Sequence, residues 1–356
     1  MRALAWDFGC LGAQRLGAML GPVTFILPDG RQCAPLHVAP WTFEPEARAL
    51  PGVLRRLRGE WPCAPFGLDA ERALSPGWSA EGATFPGADV PHGPSSNEPW
   101  RWIDAPDGSL ALRLDYPEGH PVRFVERTIT PDPSAPAIDF AFTVHVRRPC
   151  RLPLGLHPTF RMPDEVGALT LEPGAYAHVR SYPGTLEPGA ALFAEDARFS
   201  RLDGAPSRAG GTVDATRLPF EGAFEDLLQL VGVEGVMALR YRREGFRATL
   251  TWNAAHFPSL LLWFSNRGRR TYPWSGRNLC LGVEPVCSAF DLGPALASGR
   301  NPIADSGVAT AQNLTPDAPF ATRYRIGVSP EWRDAVQFPA RQAGSMKSSA
   351  PGAPGN

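Results

Sequence analysis

Several stretches of this sequence alternate between apolar and polar residues, and this period of two most constrains the fold. Alternate residues lie on opposite faces of an extended chain, so the pattern indicates a sheet with one face on a core. The clearest example is residues 137–147, and residues 237–242 and 246–252 repeat it. The apolar face of the first stretch consists of Ile138, Phe140, Phe142, Val144 and Val146.

No segment shows a long 3.6-residue period, and the best helical candidates are short, around 48–58 and 288–298. The 36 glycines and 39 prolines are spread along most of the chain, which is typical of many turns between short strands. These patterns predict an all-β protein, a large antiparallel β-sandwich. Further predicted strands are 109–114, 122–130, 176–181, 259–264, 278–284 and 322–327.

The 356 residues are long for one domain, but large β-sandwiches can reach this size. A strand, a Pro28-Asp29-Gly30 turn and a second strand place the predicted start of the domain near residue 21. We therefore expect residues 1–20 to be an N-terminal extension without a strand pattern and residues 21–331 to form the sandwich. Residues 332–356 are rich in Ala, Gly, Ser and Pro, so we expect a disordered tail.

Composition excludes several classes of partner. The net charge is −1 and no basic stripe stands out, which argues against nucleic acid. No apolar run reaches the ~18 residues of a membrane span, and Asp7 and Arg15 interrupt the apolar stretch near the N-terminus, unlike a signal peptide. The six cysteines form no CxxC motif, so we expect free thiols and a cytoplasmic location.

Three short stretches carry titratable residues in unusual settings. His92 lies in the Gly- and Pro-rich stretch Pro91-His92-Gly93-Pro94, and loops of this kind often hold functional groups. His157 follows a strand-like run and precedes Pro158, which restricts it to extended geometry. Glu284 ends an apolar strand, where a carboxylate is costly unless it has a partner or a purpose. Each feature alone has a structural explanation, but their joint occurrence on an all-β chain is specific.

In this order and at this spacing, the three stretches resemble motifs of the aldose 1-epimerases (galactose mutarotases). The resemblance covers roughly residues 21–328. The resemblance implies that His157 in Gly155-Leu156-His157-Pro158-Thr159-Phe160 is the catalytic histidine, and that Glu284 before Pro285 is the general base. It implies that His92 binds the substrate.

Two binding residues of this family have less obvious counterparts here. The stretch from Arg58 to Gly67 resembles the first substrate loop of some bacterial branches. The substrate-binding arginine has no clear match, so Arg58, or Arg55 or Arg56, is the candidate. Asp226 is the best match for a substrate-binding aspartate late in the chain.

The implied chemistry is mutarotation, the interconversion of the α and β anomers of an aldose. Ring opening removes a proton from the C1 hydroxyl and delivers one to the ring oxygen, so a base and an acid suffice. Glu284 would be the base and His157 the acid, and no metal or organic cofactor is needed. Sugar sites also use an aromatic face, for which Trp263 is the first candidate, ahead of Trp100, Trp102 and Trp274.

Other functions remain open at this level. Arg267, Arg269 and Arg270 form a basic cluster that suits either a solvated loop or a phosphate clamp, so a hexose-6-phosphate mutarotase is one alternative. A non-catalytic sugar-binding protein on the same scaffold is another. A lyase or hydrolase would need a carboxylate pair or a tyrosine base, and no convincing pair is evident. The predicted ligand is thus a monosaccharide or a sugar phosphate.

Overall fold

The computed structural model describes residues 1–80, 82 and 86–331. The predicted tail, residues 332–356, lies outside this part of the chain. The first strands are β1 (Arg2–Trp6), β2 (Gly9–Ala13), β3 (Leu20–Ile26), β4 (Gln32–Cys33), β5 (Pro62–Cys63), β6 (Arg101–Ile103), β7 (Leu110–Asp115), β8 (Val122–Pro131) and β9 (Ala137–Val146). Next come β10 (Cys150–Leu152), β11 (Leu154–Leu156), β12 (Thr159–Arg161), β13 (Leu169–Pro173), β14 (His178–Ser181), β15 (Arg198–Phe199), β16 (Ala205–Pro206), β17 (Thr212–Val213) and β18 (Arg217–Leu218). The last are β19 (Phe224–Val231), β20 (Val236–Tyr241), β21 (Phe246–Trp252), β22 (Ser259–Asn266), β23 (Leu279–Cys287), β24 (Gln312–Leu314) and β25 (Phe320–Pro330).

Helical segments in the described part of the chain are short, as the lack of a 3.6-residue period predicts. Two are α-helices, α1 (Gly93–Asn97) and α2 (Pro294–Ala297). Four are 3-10 turns, Glu46–Ala49, Gly52–Arg56, Leu202–Gly204 and Ala304–Ser306. No helix among the described residues is long and apolar enough to cross a membrane.

Two large antiparallel sheets form the body of the protein. One has nine strands in the order β18-β13-β20-β21-β25-β9-β8-β7-β6. The other has eight, in the order β15-β14-β19-β22-β23-β11-β5, with β12 also paired to β23. Strands β1 to β4 form a smaller sheet of their own. The prediction of an all-β protein built on a large antiparallel sandwich is therefore confirmed.

The alternating stretches all lie in the nine-stranded sheet. Strand β9 pairs with β8 and β25, and the apolar residues of its alternating pattern are buried while most of the others are half-buried. Phe140 of β9 stacks on Tyr324 of β25 with ring centroids 4.6 Å apart. This sheet thus has one face on the core and one face toward solvent, the arrangement that produces a period of two.

The eight-stranded sheet is covered on both faces. Every residue of β22 and β23 is buried. One face supplies Leu260, Leu262 and Phe264 to the core between the sheets, and the other supplies Leu261 and Trp263 to a second apolar cluster. The second cluster also contains side chains from the loops before β5 and after β23, so these loops cover the outer face. Trp263 and Glu284, two of the predicted site residues, lie on that covered face.

The sequence prediction for residues 1–20 is wrong. Strands β1 and β2 pair with each other, and β2 pairs with β3, so this segment is part of the folded body. Leu11 and Ala13 are buried in the main core. The pattern was missed because β1 is largely exposed and β2 contains two glycines, so neither strand shows clean alternation.

A buried ion pair links the N-terminal segment to the nine-stranded sheet. The side chains of Arg127 on β8 and Glu60 are both fully buried, with Nη2 and Oε2 2.5 Å apart. Tyr324 donates its hydroxyl to the other oxygen of Glu60 at 2.5 Å, and Arg127 also donates to the carbonyl of Ala18. Glu60 precedes Trp61, so this pair anchors the chain next to the cavity described below.

Replacing one partner of this pair should destabilise the fold strongly. Arg127→Met leaves the Glu60 charge buried without a counter-charge, and we expect a loss of about 3–5 kcal/mol in the free energy of unfolding, measured by guanidinium denaturation. The double variant Arg127→Met with Glu60→Gln removes both charges and should recover much of this loss. A single variant with wild-type stability would contradict the assigned role.

Candidate active site

A cavity of about 480 Å³ lies over the covered face of the eight-stranded sheet. Its volume falls within the range of small-molecule sites. The polar and aromatic side chains that line it come from loops and strands far apart in the sequence: Trp61, Arg72, His92, His157, Tyr182, Thr185, Trp263, Arg269, Trp274, Glu284 and Asp291. The three motif residues predicted from the sequence therefore meet in one cavity.

His157 and Glu284 are in direct contact. The distance from His157 Nε2 to Glu284 Oε1 is 3.4 Å, and both side chains are almost fully buried. Glu284 lies on β23, and His157 lies in the break between β11 and β12, which both pair with β23. Pro158 has no N–H to donate to the ladder, and its carbonyl accepts the N–H of Val283 instead. The break between β11 and β12 thus places the His157 ring opposite the Glu284 carboxylate.

The backbone and an aromatic ring hold His157 in place. Its N–H donates to the carbonyl of Trp61 at 2.8 Å, and its ring stacks on the indole of Trp61 with centroids 4.0 Å apart. Thr159 Oγ1 lies 3.3 Å from His157 Nδ1. These contacts fix the ring so that Nε2 faces the carboxylate.

Two glycines provide the space for this contact. A Cβ at Gly282 would lie 2.2 Å from Glu284 Oε1, so only glycine leaves room for the carboxylate. A Cβ at Gly155 would lie 2.3 Å from the Phe66 ring, which packs against His92 and His157. Both glycines stand two residues before a motif residue, on the same face of the strand.

Burial determines the protonation of the pair. It raises the pKa of Glu284 well above its usual range, and Asp291 adds to the rise. It lowers the pKa of His157 well below its usual range, and His92 adds to the fall. Each shift favours the uncharged form, so burial biases the pair toward a carboxylic acid beside a neutral imidazole. It can give one proton and accept another without a change in total charge.

His92 presents an N–H to the cavity. Its backbone is left-handed, with φ of 58°, at the start of α1. Gly67 donates its N–H to His92 Nδ1 at 3.2 Å, and burial lowers the pKa of His92 to about 4. The neutral ring therefore carries its proton on Nε2, which suits it to donate to a ligand oxygen.

Arg72, Asp291 and Tyr182 form a second polar wall. Arg72 Nη1 lies 3.4 Å from Asp291 Oδ1 and donates to the Asp291 carbonyl. Burial raises the pKa of Tyr182, and the nearby Asp291 contributes to the rise. The sequence does not predict any of the three, because they lie in or beside loops where no periodicity marks them.

Arg269 and two tryptophans form a third wall. The Arg269 guanidinium lies over the Trp274 ring at 4.7 Å, and Trp274 meets Trp263 edge to face at 5.7 Å. Arg269 Nε lies 3.2 Å from Oε1 of the buried Glu225. The other two arginines of the predicted cluster do not line this cavity: Arg267 pairs with Asp164, and Arg270 is exposed.

The structure does not support two of the predicted substrate-binding residues. Asp226 points away from the cavity, and its carboxylate accepts the backbone N–H groups of Leu192, Phe193 and Leu227. Arg58 is buried outside the cavity and donates to the carbonyls of Arg56 and Gly21. Both side chains are hydrogen-bonded to the protein backbone and do not line the cavity, so both predictions are corrected.

Of the four tryptophans considered for sugar stacking, Trp263 and Trp274 line the cavity. Trp100 is fully buried in the main core and donates to the carbonyl of Ser95. Trp102 packs against the same core. Trp61, which stacks on His157, is a further aromatic wall within the predicted substrate loop.

Comparison with known proteins identifies solved structures with a similar fold. No protein-family profile and no curated protein matches the sequence. Solved structures match over nearly the whole chain. A galactose mutarotase-like protein from Lactobacillus casei superposes with a TM-score of 0.59 at 15% identity, over 92% of this chain and 99% of that one. An aldose epimerase homologue from C. elegans gives 0.60 at 15% identity, over 92% and 98%. A galactose mutarotase-like protein from Clostridium acetobutylicum gives 0.58 at 12% identity, over 92% and 94%.

These similarities define an all-β protein with the galactose mutarotase-like fold. At such identities the likeness concerns the fold alone, so the function has to be argued from the cavity.

The placement of Asp226 can be tested by Asp226→Asn. The amide sets an N–H₂ group against backbone N–H donors, so we expect the free energy of unfolding to fall by about 1–3 kcal/mol in a denaturant titration. Calorimetric sugar affinity of the folded variant should match that of the wild type. Lost affinity with unchanged stability would instead return Asp226 to the binding site.

The raised pKa of Glu284 predicts a pH-dependent effect of Glu284→Gln on stability. The folded protein holds the Glu284 proton more tightly than the unfolded chain, so this stabilisation is complete below the unfolded pKa of ~4.3 and lost as pH rises toward the folded pKa. Gln has no proton to lose. The variant should therefore have the same free energy of unfolding as the wild type near pH 4. Near pH 8 it should unfold at a higher denaturant concentration than the wild type.

The control for this experiment is Glu172→Gln. Glu172 lies on β13 and pairs with Arg240 and Arg247 far from the cavity, so its replacement should bring no gain at pH 8. Equal stability of Glu284→Gln and wild type at both pH values would show that Glu284 is ionised without penalty.

Proposed function

We propose that this protein is an aldose 1-epimerase that interconverts the α and β anomers of a free aldose. The observation that carries the proposal is the 3.4 Å contact between His157 Nε2 and Glu284 Oε1 inside a cavity with aromatic walls. Mutarotation needs one proton donor and one proton acceptor at two oxygens of a single carbon. Two groups in mutual contact can reach both oxygens together.

Substrate binding prepares the pair for the reaction. A C1 hydroxyl that donates to Glu284 favours its ionised form, and a ring oxygen that accepts from His157 favours its protonated form. The shared proton therefore moves from the carboxyl group to the imidazole when the sugar binds. The bound complex holds a carboxylate base at the C1 hydroxyl and an imidazolium acid at the ring oxygen.

Ring opening then transfers two protons. Glu284 takes the C1 hydroxyl proton, the C1–O1 bond becomes a carbonyl, the bond from C1 to the ring oxygen breaks, and His157 protonates that oxygen. The pair returns to its uncharged resting form. Rotation about C1–C2 followed by the reverse transfers closes the ring as the other anomer.

The other cavity residues suit a sugar. The faces of Trp61, Trp263 and Trp274 can pack on the C–H side of the ring. The His92 Nε2–H group and the Arg269 guanidinium can donate to hydroxyl oxygens. Of the arginines proposed as a phosphate clamp, only Arg269 lines the cavity, and it is paired with Glu225. This pairing favours a free aldose over an aldose phosphate.

The buried pair also favours an enzyme over a non-catalytic binding protein. Two titratable groups without full hydrogen bonding cost stability when they are removed from water. Strongly shifted pKa values in a cleft are typical of catalytic groups. A binding protein gains nothing from this cost.

Glu284→Gln tests the proposal. Gln keeps the shape and can bind a hydroxyl, but it cannot accept the proton, so kcat should fall by about 10²–10⁴-fold. Sugar affinity should change far less. The measurement is polarimetry of a freshly dissolved α-anomer, corrected for spontaneous mutarotation, beside calorimetric binding.

Glu172→Gln, which removes a carboxylate far from the cavity, should retain wild-type rates. A wild type that accelerates no aldose or aldose phosphate would favour the binding-protein alternative. A fully active Glu284→Gln would show that another group is the base.

A further inference from the structure

We propose that Glu225 is a positioning residue that sets the charge of the ligand this cavity accepts. By pairing with Arg269, it compensates the charge of that arginine, so the pair as a whole presents hydrogen-bond donors to the cavity without net charge. The cavity then selects neutral aldoses and discriminates against anionic ones, such as sugar phosphates and uronates. This inference extends the proposed function to a substrate class, and its binding test does not depend on catalysis.

Glu225 is held from three sides and does not line the cavity. It is fully buried, and its Oε1 accepts the indole N–H of Trp263 at 2.6 Å and lies 3.2 Å from Arg269 Nε. Its Oε2 accepts the hydroxyl of Ser265 at 3.0 Å. The carboxylate therefore fixes two residues of the cavity wall at once.

The cation and the donors around Glu225 favour its ionised form. Asn278 Nδ2 donates to Ser265 Oγ at 2.9 Å, so the Ser265 hydroxyl directs its own proton to Glu225. Asn278 Oδ1 in turn lies 3.0 Å from His37 Nε2, which fixes the orientation of the amide. Burial raises the pKa of Glu225, but the Arg269 charge and the Trp263 and Ser265 hydrogen bonds oppose the rise. Two hydrogen-bond donors and one cation beside a carboxylate favour its charged form.

Arg269 retains its donors for a ligand. Glu225 uses Nε, and the guanidinium lies over the Trp274 ring at 4.7 Å. Neither Nη group donates to an acceptor among the described residues, and the side chain is a quarter exposed in the cavity. The planar fork of an arginine fits vicinal oxygens as well as an anion, so charge decides between them.

The ionic groups of the cavity compensate one another. Arg269 pairs with Glu225, and the other cavity arginine, Arg72, pairs with Asp291. Burial favours the uncharged forms of His157 and Glu284, and the pair has no net charge whether or not the proton moves between them. An anionic substituent would thus enter a cavity of no net positive charge and lose its hydration without an unpaired counter-charge.

Glu225→Gln isolates the charge. The Gln oxygen can still accept from Trp263, but Arg269 is left with an uncompensated positive charge. We expect this variant to bind inorganic sulfate at least about tenfold more tightly than the wild type at low ionic strength, and we expect added NaCl to weaken the gain. Isothermal titration calorimetry measures both. The double variant Glu225→Gln with Arg269→Gln should lose the gain, and Glu172→Gln should show none.

A kinetic comparison tests the same assignment on substrates. In Glu225→Gln, the ratio of kcat/KM for a hexose 6-phosphate to that for the free hexose should rise at least about tenfold, mainly through KM of the phosphate. A merely structural role would lower both values together. If the wild type turns over no sugar, the proposed function fails, but the sulfate titration still decides the role of Glu225.

Two results would overturn the inference. One is a wild type that binds sulfate as tightly as Glu225→Gln, because Arg269 would then already be an anion clamp. The other is a wild type that prefers a hexose 6-phosphate at low ionic strength. If circular dichroism shows that Glu225→Gln does not fold, the substrate preference of the wild type decides. The inference requires the wild type to favour the free hexose over the hexose 6-phosphate.

Discussion

The antiparallel pairing of β23 with its neighbours is the constraint on which the site depends. β22 lies on one side, with Leu261 opposite Glu284 and Trp263 opposite Gly282. On the other side β11 and β12 pair with the two ends of β23 and leave a gap opposite Glu284. His157 fills this gap. The acid–base contact therefore follows from strand register and needs no flexible loop to form.

The same sheet must be covered on both faces for this contact to be useful. Its inner face forms part of the sandwich core, and its outer face is covered by the loops before β5 and after β23. Removal from water produces the opposed pKa shifts of His157 and Glu284. An identical pair on the exposed face of the nine-stranded sheet would have ordinary pKa values, so its carboxyl group would not hold a proton that could pass to the imidazole.

The sequence predicts what local patterns encode. Alternation located the strands of the nine-stranded sheet, and an interrupted strand before Pro158 or an apolar strand before Pro285 marked the motif residues. Asp226 shows the limit of such arguments. It neighbours Glu225 on β19, but successive side chains of a strand point to opposite faces, so a shift of one residue moves a carboxylate from the cavity wall to the core side. Sequence alone does not reveal which of two adjacent acids lies on the face of the sheet that carries the cavity.

Residues that reach the cavity from loops were harder still to predict. Arg72 and Asp291 are separated by more than two hundred positions and meet only because the loops fold over the sheet. No periodicity or spacing connects them. Trp61 was within a predicted loop, but its contact with His157 arises from a long-range backbone hydrogen bond, from the His157 N–H to the Trp61 carbonyl. Tertiary folding supplies these contacts.

The cavity and the wall behind it hold two kinds of ionisable group, and the difference fits the roles proposed for them. His157, Glu284 and His92 are kept uncharged by burial, with pKa values moved toward the neutral form. A group in this state gains or loses a proton when a hydroxyl of the substrate replaces part of the missing solvation. Glu225 and Arg269 are instead charged and paired, so a proton has little reason to move between them. The first set is suited to proton transfer, whereas the second is suited to holding a ligand in a fixed electrostatic environment while the transfer takes place.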